Sequence, residues 1–162
     1  MSILPPLAAE LFAAFAADVA ATPSVTLRAG NALDDHRQPP PFEVAADSVS
    51  DGYLEQYPWG IGHLDAASWR HYLPFLMAYA LSHRDAGNPV VEGLLNSLRP
   101  PDREPARLAS LSPDQEALVT RFLETLAFGD PSPHQELACQ VLGEWWIPNA
   151  LYRPASRRPA IG

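Results

Sequence analysis

The residues able to do chemistry are few and scattered: Asp34-Asp35-His36, His63-x-Asp65, His71, His134-x-Glu136 and a lone Cys139. Carboxylate and imidazole suit hard and borderline metals, so Asp34, Asp35, His63 and Asp65 are the set from which a small metal-dependent enzyme could be built. Adjacent ligands in a flexible loop chelate poorly unless the fold converges on them, and a solvated acidic turn or a helix cap is the plainer expectation. His134-x-Glu136 lacks the paired cysteines of a zinc deaminase. Cys139 is the single cysteine, which rules out an internal disulfide framework. No neighbouring cation would lower its pKa, and it shares a helical side with small and apolar residues, so a buried structural thiol is expected. Gly60-Ile61-Gly62 lacks the third glycine and the lysine of a phosphate loop. There is no nucleophile elbow and no H-E-x-x-H. The sequence points to no enzyme, no catalytic residue, no metal and no cofactor.

The elements that would position these residues are helical. From His63 to Arg84, apolar Trp69, Tyr72, Leu73, Leu76, Met77 and Ala80 recur at helical spacing. His71, Phe75 and Tyr79 form a second row, so this helix is expected to be buried on nearly all sides, with His71 a core histidine hydrogen-bonded to backbone or to an acid. Asp65 stands at the N-cap position, Arg84 closes the far end, and Pro74 favours a kink. Residues 6–21 predict a first amphipathic helix with Leu7, Leu11, Phe12, Phe15 and Val19 on its stripe. Residues 24–44 show no sustained period, and Gly30-Asn31 with Pro39-Pro40-Pro41 predict an extended, exposed connection, with Ser24–Leu27 the one place for a strand. A short helix at Asp51–Tyr57 precedes the loop Pro58–Gly62. Asn88-Pro89, Ser112-Pro113 and Pro131 or Pro133 open three later helices, and Pro148 stops the last. The expected fold is all-α, a single-domain bundle of five to six helices around the buried central helix. It carries a long irregular acidic loop. The domain is expected over residues 1–150, with a basic tail over 151–162.

Charge narrows the partners. The chain of 162 residues carries a formal charge of −8, and its eleven basic residues are all arginine. Arg153, Arg157 and Arg158 lie in the tail, so the body is more acidic still. Asp34, Asp35, Glu43, Asp47, Asp51, Glu55 and Asp65 crowd one stretch, relieved only by Arg37. Such a field repels nucleic-acid phosphate and anionic lipid and draws in basic proteins. Tyr53, Tyr57 and Trp59 stand within the same stretch, as aromatic anchors ringed by charge do at protein interfaces. The candidate partner surface is therefore Asp34, Asp35, Glu43, Asp47, Asp51, Tyr53, Glu55, Tyr57 and Trp59. Glu10 and Asp18 interrupt the N-terminal apolar run, no basic residue precedes it, and no segment reaches a membrane span. A cytoplasmic protein is expected.

Leu27-Arg28, Ala32-Leu33-Asp34-Asp35, Tyr72-Leu73-Pro74 and Leu111-Ser112-Pro113-x-Gln115 together resemble a bacterial family of small, uncharacterised domains. The resemblance covers about residues 25–127 and implies a fold unit without any activity to carry over. In size, acidity and lack of catalytic motifs the chain is also similar in type to cognate immunity proteins of secreted bacterial toxins. That likeness implies a basic toxin domain as partner, with an enzyme such as a nuclease neutralised by covering its active site. A metal-dependent enzyme and an accessory scaffold module are the alternatives.

Overall fold

Helix starts in this chain are written by short polar side chains. Asp65 accepts from the Ser68 N–H, Asn88 from Val90 and Val91, and Ser112 from Gln115, which returns its side-chain oxygen to the Ser112 N–H in a capping box. In the computed structural model, which describes residues 5–83 and 87–154, these caps open α5 (Ala66–Ser82), α6 (Pro89–Ser97) and α7 (Pro113–Phe128). Ahead of them lie α1 (Pro6–Ala14), α2 (Ala16–Ala20), α3 (Leu27–Asp34) and α4 (Asp51–Gln56). A 3-10 turn spans Pro58–His63, and α8 (Gln135–Val141) runs on into a π-helical turn at Leu142–Trp146, ahead of Pro148. Among the described residues there is no strand, and no helix is long and apolar enough to cross a membrane.

Helix α5 is the hub. Trp69, Tyr72, Leu73, Leu76, Met77 and Ala80 are fully buried, as the periodicity predicts, with Pro74 inside the helix. Leu11 and Phe15 from the N-terminal segment, Val91, Leu94 and Leu95 from α6, and Val119, Phe122 and Leu123 from α7 belong to the same core cluster. Polar tips of the buried aromatics are satisfied. The Trp69 indole N–H donates to Ser97 Oγ at 3.1 Å, and that of Trp146 to the Leu98 carbonyl at 2.9 Å.

Several sequence expectations are revised. The first helix is broken at Phe15, where φ is −103° and ψ 15°. Gln115 bridges the break, donating to the Ala14 carbonyl at 3.1 Å and to Asp18 Oδ2 at 2.8 Å. The segment expected to be extended contains α3, and Thr26, expected in a strand if one existed, is its N-cap. Cys139 is exposed, not buried, because its position on α8 faces outward. His71 is half-buried, its Nδ1–H donating to the Asp18 carbonyl at 3.0 Å. Arg84, Arg157 and Arg158 lie outside the described residues.

Because Leu73 is fully enclosed, Leu73→Ala should cost about 2–5 kcal/mol through lost burial and the cavity left behind, measured as a fall in the urea midpoint with an unchanged slope.

Candidate functional site: an aromatic turn with acidic surroundings

The candidate surface is organised by the 3-10 turn Pro58–His63, which lies directly on α3. Glycines make this contact possible. A Cβ on Gly30 would stand 2.5 Å from the Gly60 carbonyl oxygen, and one on Gly60 would press still closer on the Leu27 carbonyl. Ile61 plugs the turn into the core at 2% exposure, whereas the neighbouring Trp59 keeps 58% of its surface in solvent. At the end of the turn His63 Nε2 meets Asp34 Oδ1 at 3.0 Å, joining it to the C-terminus of α3.

The residues expected to share one surface divide into two groups. Asp47 and Tyr53 are internal, with exposures of 6% each, and leave the candidate surface. Asp47 takes a fork from Arg28 (Nε at 3.1 Å, Nη2 at 2.9 Å), the Tyr53 hydroxyl at 2.8 Å and the Glu43 N–H at 2.9 Å. Burial would raise its pKa, but these donors and the Arg28 charge outweigh that and hold it below the usual carboxylate range. Tyr53 is pushed far up by burial first, then by Tyr72 and Asp47, so it serves as a permanent donor. Tyr57 is half-buried and packs edge-on to Tyr53 at 5.0 Å. Asp34, Asp35, Glu43, Asp51, Glu55 and Trp59 remain exposed. Part of their charge is met locally: Asp35 pairs with Arg37 at 3.2 Å, Asp51 lies 3.6 Å from His83, and Glu55 accepts from the Tyr79 hydroxyl at 2.9 Å.

The four potential metal ligands are not gathered. His63 and Asp34 touch, but Asp35 turns to Arg37, and Asp65 is held by the Ser24 hydroxyl and the Ser68 N–H. Burial raises the Asp65 pKa, and the Ser24 and Ser68 donors more than reverse it, leaving the carboxyl lowered. Among the described residues no group of three or more His, Cys, Asp or Glu is placed to hold a metal ion.

Sequence reasoning passed over Arg107, in the Pro-rich loop after α6. Its guanidinium, 4% exposed, donates to the carbonyls of Ile61, Gly62 and Leu64 and so clamps the turn from the side opposite its sequence neighbours. Burial, then the charge of Arg103, push its pKa down to about 10, against Asp102 and Asp65. No local signal in a Pro-rich loop marks an arginine as buried.

Fold and site together define a helical protein with an exposed indole on a turn that packs against α3 and whose last residue, His63, meets Asp34. Its chain belongs to a family of unknown function, DUF6714, whose model matches residues 6–150. That span reaches beyond the about 25–127 of the sequence resemblance, taking in α1 and α8. No curated protein and no solved structure matches the chain.

The Asp47 network yields a pH-dependent prediction. Its folded pKa lies below the ordinary value of about 3.9, so its stabilisation is complete above that pH and is lost as pH falls through the folded value. Asp47→Asn should lose about 2–3 kcal/mol at pH 7, and denaturant titrations should show the gap from the native protein narrowing in acid.

Proposed function

We propose that this protein is a non-catalytic acidic binding protein, a cognate immunity protein that neutralises a bacterial toxin enzyme such as a nuclease by covering its active site in the cytoplasm. The observation that carries the reading is Trp59. Its indole is 58% exposed and stands on a turn whose backbone is held by Gly30, Ile61 and Arg107. Interface energy concentrates in such aromatic anchors, and a held backbone lowers the entropy cost of fixing them. The exposed Asp34, Asp35, Glu43, Asp51 and Glu55 supply the negative field that would steer a basic partner. The dispersal of Asp34, Asp35, His63 and Asp65 favours this reading over a metal-dependent enzyme.

The test is capture of the partner from the native host, its identification by mass spectrometry, and kinetics with the purified pair. Trp59→Ala should weaken binding by about 2 kcal/mol or more, chiefly through faster dissociation. Reversing Asp34, Asp35 and Asp51 together should slow association and flatten its salt dependence. A partner enzyme that is bound but stays fully active, or kinetics indifferent to both variants, would refute the assignment.

A further inference from the structure

Arginines elsewhere in this fold are neutralised by contact. Arg28, Arg37, Arg70, Arg99, Arg121 and Arg153 each hold a carboxylate oxygen within 3.2 Å. Among the described residues Arg103 and Arg107 have no such ion pair, and these two lie side by side. Arg103 Nη1 and Arg107 Nη2 both donate to one backbone oxygen, that of Gly62, the latter at 3.3 Å. Asp102, the nearest acid in sequence, is engaged elsewhere: its carboxylate accepts from the N–H groups of Arg107, Leu108 and Ala109 at 2.7–2.9 Å.

Both guanidinium groups line a cavity of about 620 Å³ between the 3-10 turn, α6 and the loop after it, together with Trp59, Glu92, Asn96 and Asp102, whose carboxylate is turned to the backbone N–H groups. Arg107 spends Nε and Nη2 on backbone carbonyls, while its Nη1 bonds to no atom of the described residues. Two adjacent cations that share one neutral acceptor repel each other; burial first, then the Arg103 charge, depress the Arg107 pKa, with Asp102 and Asp65 offsetting part of it. A bound oxyanion would turn that repulsion into two charge-assisted hydrogen-bonded contacts. The volume lies within the range of small-molecule sites, and the Trp59 indole supplies an apolar wall.

We propose that this cavity binds a small organic oxyanion, a carboxylate or a phosphate monoester, gripped by Arg103 and Arg107 with its apolar body against Trp59. Glu92 and Asp102 in the wall disfavour polyanions and leave room for a single anionic group between the two arginines. The inference shares Trp59 with the toxin-partner reading but rests on Arg103 and Arg107, and its test needs the full chain alone. Calorimetric titrations use phenyl phosphate and benzoate, with neutral benzyl alcohol as control. Saturable binding of either anion and none of the alcohol is expected, the tighter anion telling phosphate from carboxylate. Arg103 is exposed, so Arg103→Gln should keep the native melting temperature and weaken anion binding about tenfold or more. In the unaltered protein, added sodium chloride should weaken binding as well, a readout that requires no variant. The proposal is overturned by no saturable heat from either anion up to about 10 mM, by equal binding of benzyl alcohol, or by undiminished affinity in folded Arg103→Gln.

Discussion

The approach of Gly30 to Gly60, backbone against backbone, fixes the face of the molecule around Trp59. Neither position has room for a side chain, so α3 and the 3-10 turn meet at a distance that no other residue pair would permit. That contact sets Ile61 into the core, brings His63 to Asp34, and leaves Trp59 turned to solvent. The carbonyls at the end of the turn, Ile61 and Gly62, and that of the following Leu64 accept from Arg107, since so short a 3-10 segment cannot satisfy all its acceptors internally. The loop after α6 is thereby fastened to the same element. Turn, helix and loop form one unit, and the cavity beside Trp59 opens between the turn, α6 and the loop.

A second constraint is the handling of charge. An acidic chain cannot bury carboxylates without donors, and Asp47 shows the solution: a forked arginine, a tyrosine hydroxyl and a backbone N–H converge on one side chain. Asp18 plays a similar part between α2, α5 and α7, with Arg70 at 3.0 Å and Gln115 at 2.8 Å. These acids hold the bundle together. Asp34, Asp35, Glu43, Asp51 and Glu55 stay outside, three of them met by Arg37, His83 and Tyr79 at the surface.

What the sequence made legible was what is encoded locally. Asp65, Asn88 and Ser112 announce their helices because a cap is a contact within three residues, and the stripe of α5 announces its burial because periodicity repeats along one element. Helix α3 was hidden by Gly30-Asn31, a pair that marks a turn when considered locally. Here the glycine serves a contact with Gly60, thirty residues on. Thr26 at the N-cap was the one local clue. The division of the acidic stretch could not be read either. Asp47 and Asp51 look alike in sequence, and only the distant Arg28 and Tyr53 decide that the first is internal. Cys139 shows the converse, since an apolar-looking helical side proved to be exposed, with the thiol directed to the Ala127 carbonyl at 3.8 Å.

Urea unfolding of Gly30→Ala tests the central constraint most directly, because two principles give it opposite signs. Helix propensity alone favours alanine inside α3 by about 1 kcal/mol. The close approach demands the reverse, since the new methyl group would meet the Gly60 carbonyl at 2.5 Å, backbone that no side-chain rotation can clear. The account predicts a loss of about 2 kcal/mol or more, seen as a lower midpoint at unchanged slope. A variant as stable as the native protein, or more stable, would contradict it.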